Sequence, residues 1–249
     1  MGDKVVEGFK KDFLKIKAKG FVESHRSHNT GIGKTFEDLI GIVENNNFLA
    51  DYEGVLEIKS SRDLSKSMVT LFTKTPTHPK GVNSILRVKY GEPDHNAGGL
   101  KTLHTTFSAS KFNTFVGKFG FKLHVDEDKR RVYIIVKDLK TGKIGNTEMY
   151  YEFDIVKEII EKKCRHIAYV EADSKHENGK ELFNFKKATL LTNLTFDKFI
   201  RFVKEGLILY DVRIGVYRSG KMKGKTHDHG SGFRVLKNNL GKIFNVEEI

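Results

Sequence analysis

The sequence has little cysteine and little proline, and it has no long apolar run. Cys164 is the single cysteine among 249 residues, so an internal disulfide and a cysteine-based zinc site are excluded. We interpret it as a structural residue just before a strand. Only three prolines are present and no low-complexity tract occurs, which argues against long disordered segments. The sequence contains no apolar stretch of about 18 residues, the length needed to span a bilayer. Its first residues lack the apolar region of a signal peptide. We therefore expect a soluble, intracellular protein.

Acidic residues are also fewer than basic ones. The 44 lysines and arginines exceed the 32 aspartates and glutamates, which gives a formal net charge of +12. Such an excess implies a polyanionic partner, and nucleic acid is favoured over a membrane surface. Hydrophobic residues make up 38% of the chain, enough to bury a sizeable core. The length suits one large domain or two small lobes.

Hydrophobic spacing predicts helices mixed with strands. Helices are predicted over residues 5–19, 154–163 and 195–205, and a further helix is predicted to begin at an N-cap, Thr35. Strands are predicted over residues 55–59, 68–72, 131–136, 166–171 and 207–216. This mixture indicates an α/β or α+β core. After residue 217 the chain becomes basic and glycine-rich, as in a long surface loop.

The segment from Ala50 to Lys59 is the most informative part of the sequence. Alternate residues of a strand share a face. Glu57 and Lys59 are therefore predicted to point one way, while Ile58 points into the core. Asp51 lies just upstream, where the chain enters the strand. Two carboxylates and one ammonium group would then converge at the edge of a sheet.

This set of groups suits the hydrolysis of phosphodiester bonds. Carboxylates bind Mg²⁺, for which Mn²⁺ can substitute. The metal activates a water molecule and stabilises the charge that builds on the phosphate. The lysine can orient the attacking water or help to deprotonate it, and it supplies positive charge near the transition state.

Other motifs with similar chemistry carry weaker signals. The acid-x-Lys spacing recurs at Glu127/Lys129, Asp138/Lys140, Glu161/Lys163 and Asp173/Lys175, where solvated surface pairs are the favoured interpretation. The Gly31–Thr35 run ends like a phosphate-binding loop, but histidine stands at position 28 where that loop needs glycine. His227 and His229 offer zinc two ligands without an evident third, so a loop that contacts DNA or solvent is favoured.

Several blocks resemble the MvaI family of restriction endonucleases and, more distantly, BcnI and the mismatch-repair nicking enzyme MutH. The blocks are residues 29–39, 51–59, 71–77, 211–215, 219–221 and 224–230. The resemblance implies the PD-(D/E)xK, MutH-like fold, an α/β (α+β) fold with a mixed central sheet flanked by helices and two lobes around a DNA cleft. It implies one endonuclease domain over residues 1–249, with the catalytic lobe mainly in about 1–150 and the DNA-recognition elements mainly in about 151–249.

The resemblance also implies an activity. The protein is expected to be a type II restriction endonuclease of the prokaryotic cytoplasm, a Mg²⁺-dependent monomer that acts on double-stranded DNA. The implied site is CCWGG, cut after the second C, with 5′-phosphate and 3′-hydroxyl ends.

Residue by residue, the resemblance assigns roles to positions of this sequence. Glu37, Asp51, Glu57 and Lys59 would be catalytic, and Asp51, Glu57 and Ile58 would hold the metal. The spacing from Asp51 to Glu57 is one residue longer than in the family, so Glu53 stays an alternative ligand. Arg213 and Arg234 would read guanines in the major groove. Further DNA contacts are expected from His227, Asp228, His229, Lys221, Lys223 and Lys225.

Two other functions stay open at this point. A repair nickase of the MutH kind would need partner proteins, and the block near residues 224–230 favours the restriction enzyme over it. A DNA-binding protein without catalysis, such as a repressor, is disfavoured, because clustered charges at a strand end are costly without a ligand.

Overall fold

The computed structural model of the protein describes residues 2–28, 30–42, 49–62 and 68–249. Within these ranges the helices are α1 (Gly2–Lys17), α2 (Gly31–Leu39), α3 (Val82–Tyr90), α4 (Phe153–Ile159), α5 (Phe196–Lys204) and α6 (Leu240–Ile243). The strands are β1 (Phe21–Glu23), β2 (Glu57–Arg62), β3 (Met68–Thr73), β4 (Glu92–Pro93), β5 (Lys101–Phe107), β6 (Phe119–Asp126), β7 (Arg131–Asp138), β8 (Ile144–Glu152), β9 (His166–Glu177), β10 (Lys180–Thr192), β11 (Ile208–Val216), β12 (Thr226–Asp228), β13 (Gly232–Leu236) and β14 (Asn245–Glu248). No described helix is long and apolar enough to cross a membrane.

The chain forms two compact units, and neither is a continuous half of the sequence. Unit 1 consists of Met1–Ser67, Ile159–Thr195 and Lys237–Ile249. Unit 2 consists of Met68–Glu158 and Phe196–Leu236. Segments distant in sequence therefore build each core. The assignment of catalysis mainly to residues 1–150 and of DNA recognition mainly to residues 151–249 stays a prediction.

Unit 1 is built on a five-stranded sheet of order β1-β10-β9-β2, in which β14 also pairs with β10. Strand β2 runs parallel to β9, and the other pairs are antiparallel. Helix α1 packs on β10, and α2 packs on β2. Phe9 and Phe13 recur at helical spacing on α1, are fully buried and stack with ring centroids 6.2 Å apart. This apolar face confirms the predicted first helix.

The start of α2 corrects the expectation that Thr35 is an N-cap. The helix begins at Gly31, and Thr35 lies buried within it, where its hydroxyl donates to the Gly31 carbonyl at 2.7 Å. A side chain at Gly31 would place its Cβ 2.3 Å from the Arg26 carbonyl oxygen. The glycine-rich stretch thus allows a close backbone approach, so the helix starts one turn earlier than the threonine suggests.

Unit 2 contains two sheets. The larger has the order β3-β13-β11-β5-β4, with β12 also paired to β11, and the smaller is β6-β7-β8. Phe233 on β13 contacts Tyr151, Phe199 and Tyr210 with ring centroids 5.1–5.3 Å away. The hydroxyl of Tyr151 donates to the Lys74 carbonyl at 2.6 Å and lies 2.7 Å from the Tyr210 hydroxyl. These contacts satisfy the polar ends of rings buried in an apolar core.

The strands predicted near residues 68, 131, 166 and 207 and the helix near 195 are confirmed as β3, β7, β9, β11 and α5. The helix predicted over 154–163 is divided, because α4 passes into a π-helical turn over Ile160–Cys164. Cys164 is buried immediately before β9, and burial raises its pKa to about 12. Its burial agrees with the structural role predicted for this cysteine.

Candidate active site and DNA-contact residues

A tight turn before β2 brings Asp51 back alongside the strand. Isolated bridges join Ala50 to Gly54 and Tyr52 to Leu56. Glu53 and Gly54 have φ angles of +50° and +70°, a conformation that glycine adopts without strain. The predicted strand over 55–59 therefore begins two residues later, at Glu57.

The turn places the Asp51 carboxylate on the backbone of β2. The Ile58 N–H donates to Asp51 Oδ2 at 3.0 Å. In a strand the N–H and C=O of one residue point to the same side. The Ile58 carbonyl therefore also faces the side on which Asp51 lies. Glu53 is exposed at the tip of the turn, so Asp51 is the acid that adjoins the strand.

Glu57 and Lys59 share one face of β2, as the alternation predicts. Lys59 Nζ donates to Glu57 Oε1 at 3.2 Å. Ile58 and Leu56 are buried in the core of unit 1. The structure thus brings Asp51, Glu57 and Lys59 together at this strand.

Glu57 is a buried acid, and one of its carboxylate oxygens accepts no hydrogen bond from the described residues. Its residue is only 8% exposed, and Oε2 has no hydrogen-bond partner among the described residues. Burial raises the pKa of Glu57, the charges of Lys59 and Lys163 oppose that shift, and the charge of Asp51 adds to it. A buried carboxylate oxygen without a donor is costly unless a ligand satisfies it.

The residues at this strand fit a hard divalent cation. Two carboxylates and the Ile58 carbonyl offer oxygen ligands only, and Mg²⁺ takes one or two carboxylates while keeping several waters. Among the residues that the structure describes, no group of three or more His, Cys, Asp or Glu side chains is arranged to hold a metal ion. The sheet edge is the candidate metal position because the oxygen ligands of Asp51, Glu57 and Ile58 lie together there and Glu57 Oε2 has no hydrogen-bond partner among the described residues.

The raised pKa of Glu57 leads to a stability prediction. A carboxyl group whose pKa is higher in the folded protein favours its neutral form there, so folding becomes more favourable as pH falls through that pKa. Glu57→Gln, a neutral isostere, is expected to raise the melting temperature in EDTA, by roughly 2–4 °C for each kcal/mol gained in a chain of this size. Thermal unfolding at neutral pH measures the change. Glu53→Gln, in the exposed turn, serves as the matched control with no expected shift, and a lower melting temperature for Glu57→Gln would contradict the prediction.

Glu37 lies on α2, half-buried on the helix that packs against β2. This places it in the same unit as Asp51, Glu57 and Lys59. Its assignment as an additional catalytic acid stays a prediction from the resemblance.

The two arginines expected to read guanine share one acid in unit 2. Arg213 Nε donates to Asp211 Oδ2 at 2.6 Å, and Arg234 Nε lies 2.9 Å from the same oxygen. The Thr106 hydroxyl donates to the other oxygen at 2.7 Å. Asp211 and Arg213, two residues apart on β11, thus lie on the same face of the strand.

The surroundings of the two arginines differ. The Arg213 side chain is 45% exposed, so its guanidinium can reach a ligand. Arg234 is only 6% exposed on β13, where it also donates to the Thr70 hydroxyl and to the Gly230 carbonyl. Burial and the charge of Arg213 lower the pKa of Arg234, whereas Asp211 opposes that shift. Arg234 therefore contributes to the fold of the sheet as well as to any contact with DNA.

The side chains of residues 227–229 differ in their burial and in their contacts. Asp228 is turned inward, since its Oδ1 accepts from the Gly230 and Ser231 N–H groups and its Oδ2 accepts from Asn83. His227 is half-buried and stacks on Tyr217 with centroids 4.3 Å apart, while His229 is exposed. Asp228 thus holds the turn, and the histidines line the surface beside it.

The basic loop presents its lysines to solvent. Lys221, Lys223 and Lys225 are all exposed between β11 and β12. Exposed ammonium groups on a loop suit phosphates, which position a protein on DNA without reading its sequence.

Two residues that contact the candidate site residues were not predicted from the sequence. Asp211 holds both arginines, and its place two residues before Arg213 on a strand is a signal that could have identified it. Lys163 Nζ lies 4.0 Å from Glu57 Oε2, although its acid-x-Lys pair with Glu161 is typical of a surface. Its position depends on the π-helical turn, which sequence periodicity does not reveal.

Comparison with known proteins extends these observations to the whole chain. The profile of the MvaI/BcnI restriction endonuclease family matches residues 10–244. A solved structure of restriction endonuclease MvaI with its cognate DNA substrate is 37% identical, has a TM-score of 0.86 and matches over 100% of this chain and 99% of that one. A structure of MvaI in the absence of DNA is 37% identical, with a TM-score of 0.62 over 98% and 97% of the two chains. The comparison with curated proteins gave no match.

The similarity covers both units and includes the segment from Asp51 to Lys59. With the mixed sheets and helices described above, it shows the PD-(D/E)xK type of fold. The protein is therefore a member of the MvaI/BcnI restriction endonuclease family.

Proposed function

We propose that the chain is a Mg²⁺-dependent type II endonuclease that cuts double-stranded DNA at CCWGG after the second C, leaving 5′-phosphate and 3′-hydroxyl ends. The observation that carries the proposal is the buried Glu57, whose Oε2 has no hydrogen-bond partner among the described residues while Oε1 accepts from Lys59. Asp51 stands on the same strand through the Ile58 N–H. The arrangement supports a site for a cation and a phosphate.

The proposed reaction is a direct displacement at phosphorus. The oxygen of a water molecule forms a bond to phosphorus while the bond from phosphorus to the 3′-oxygen breaks. The water gives up a proton to solvent, and the leaving 3′-oxygen takes one. Lys59 holds its ammonium beside Glu57, where it orients the water and offsets negative charge in the transition state.

Asp51, Glu57 and the Ile58 carbonyl would hold the metal. When bound, Mg²⁺ supplies Lewis-acid stabilisation of the phosphate oxygens and lowers the pKa of a bound water. Asp51 is proposed in preference to Glu53, because its carboxylate contacts β2 whereas Glu53 is exposed. Glu37, on the adjacent helix, is proposed as the additional acid.

The proposed sequence specificity rests on unit 2. Arginine presents two parallel donors that match O6 and N7 of guanine, and Arg213 is held by Asp211 with much of its side chain exposed. Lys221, Lys223 and Lys225 are proposed phosphate contacts. The proposed enzyme is a monomer, as the resemblance to the MvaI family implies, and its one chain carries one set of two acids and a lysine. It would therefore cut the two strands in separate events.

Removal of the metal is expected to abolish cleavage. Wild-type protein is incubated with a duplex that carries one CCWGG site, in Mg²⁺ and in EDTA, and with a matched duplex that carries CCSGG. We expect cleavage only in Mg²⁺ and only of the first duplex, through an intermediate nicked in one strand. Full activity after exhaustive chelation would contradict the proposed chemistry, whereas equal cleavage of both duplexes would contradict only the proposed site.

A further inference from the structure

The cation environment of Glu57 includes a second lysine from another element. Lys163 lies on the π-helical turn Ile160–Cys164, and its Nζ is 4.0 Å from Glu57 Oε2. At this distance the two groups form an ion pair, but they are too far apart for a hydrogen bond. Lys59 pairs instead with Oε1, at 3.2 Å. Each oxygen of the acid therefore faces its own ammonium group.

The backbone fixes where Lys163 stands. Its neighbours Ile160 and Cys164 have no exposed surface, so the turn is anchored in the interior. The chain then enters β9, where Ile167 pairs with Glu57 across the parallel ladder. The Lys163 side chain is 27% exposed and extends from this anchored turn toward the acid. Its approach to Oε2 thus follows from the fold and not from a chance surface contact.

The charges explain why a cation is needed there. Glu57 is buried close to Asp51, and the negative charge of Asp51 adds to the burial that makes ionised Glu57 unfavourable. A paired buried charge is far less costly than an isolated one. Lys163 provides an ammonium 4.0 Å from Oε2, the oxygen of Glu57 that has no hydrogen-bond donor among the described residues.

We propose that Lys163 is the resident counter-ion of the metal position: its ammonium neutralises Glu57 Oε2 until a divalent ion binds, and it competes with that ion for the oxygen. Lys163 is a positioning residue in this role and does not touch the reacting atoms. The inference rests on the proposed function, because it takes Glu57 as a metal ligand. A loosely held ammonium can swing aside when an ion of higher charge arrives, whereas one that donates a hydrogen bond resists displacement.

The test measures metal affinity rather than cleavage. Ca²⁺ takes the same carboxylate and carbonyl oxygens, so its binding is followed by calorimetry and by thermal unfolding of the DNA-free protein. Lys163→Met is expected to bind Ca²⁺ about tenfold more tightly than wild type, because one repelling charge beside the site is gone. In EDTA the same variant is expected to unfold at a lower temperature, because Glu57 has lost a counter-ion.

Lys162→Met is the matched control. It removes the same charge from the same turn, but Lys162 is exposed. We expect wild-type Ca²⁺ affinity for this variant. An equal gain in affinity for both variants would reduce the effect to net charge and overturn the inference.

A double-mutant cycle provides a second readout that does not depend on the stability of one variant. In the Glu57→Gln background the carboxylate charge is absent, so Lys163→Met is expected to leave the melting temperature in EDTA unchanged. A loss of stability as large as in the wild-type background would show a merely structural lysine and overturn the inference. Cleavage by the wild type in Mg²⁺ distinguishes a failure of this inference from a failure of the proposed function. If the wild type is an active, metal-dependent enzyme but Lys163→Met has unaltered Ca²⁺ affinity, only the inference is contradicted. A wild type that neither binds Ca²⁺ nor needs Mg²⁺ contradicts the proposed function.

Discussion

Replacement of Lys59 by alanine is expected to lower the single-turnover cleavage rate by about a thousandfold, the effect typical of losing one preorganised charge beside a reacting phosphate. Lys59 is the cation that β2 holds against Glu57, with Nζ 3.2 Å from Oε1. Without it, the attacking water loses its orientation, and the charge that builds on the phosphate loses a nearby ammonium group.

Binding of DNA is expected to survive the same substitution. The proposed base and phosphate contacts lie in unit 2, on residues such as Arg213 and Lys223, whereas Lys59 lies in unit 1. Titration of a CCWGG duplex in Ca²⁺, which binds oxygen ligands like Mg²⁺, should give near wild-type affinity for Lys59→Ala. Lys15→Ala, a change at an exposed lysine of α1 in the same unit, is the control with unchanged cleavage. A cleavage rate near that of wild type for Lys59→Ala would contradict the assignment.

Loss of sequence discrimination is the second large effect that we expect. Arg213→Ala should weaken binding of the cognate duplex by about 1–3 kcal/mol and weaken binding of random DNA by less. The structural reason is that Asp211 fixes the guanidinium through a 2.6 Å contact while leaving it accessible. A fixed fork of donors can distinguish guanine from the other bases.

Lys223→Ala provides the contrast in the same unit. Lys223 is exposed on the basic loop, so its removal should weaken cognate and random duplexes alike and reduce the slope of affinity against salt by about one unit. Titrations of both duplexes at several salt concentrations measure the difference. Equal losses on the two duplexes for Arg213→Ala would reduce that arginine to a backbone contact.

Arg234 is a less suitable test residue for recognition. It is buried on β13, an interior strand between β3 and β11, with Asp211 and Thr70 around its guanidinium. A substitution there removes one member of a buried ion pair and leaves Asp211 with less compensation, which is strongly destabilising. Any loss of DNA binding by Arg234→Ala would therefore combine folding with recognition.

The regular elements of the site could be predicted from sequence because their geometry is periodic. Glu57 and Lys59 alternate with buried apolar residues, so a strand puts them on one face wherever it lies. The common face of Asp211 and Arg213 follows from the same rule. The resemblance to a known family supplied the roles that such patterns alone leave open.

The irregular elements could not be predicted in this way. The position of Asp51 depends on a turn with positive φ at Glu53 and Gly54, and no hydrophobic period encodes it. The approach of Lys163 to Glu57 depends on a π-helical turn and on the pairing of β9 with β2. The burial of Arg234 depends on which strands flank β13. Each is a consequence of contacts between segments that are distant in sequence.

The proposed endonuclease activity is tested most directly by mapping the DNA ends that the purified protein makes. Unmethylated genomic DNA is incubated with the protein in Mg²⁺, and the fragment ends are sequenced beside a digest by Lys59→Ala. We predict ends at CCWGG, after the second C and with 5′-phosphates, that are nearly absent with the variant. Ends scattered without a common sequence, or the same ends at the same yield from Lys59→Ala, would contradict it.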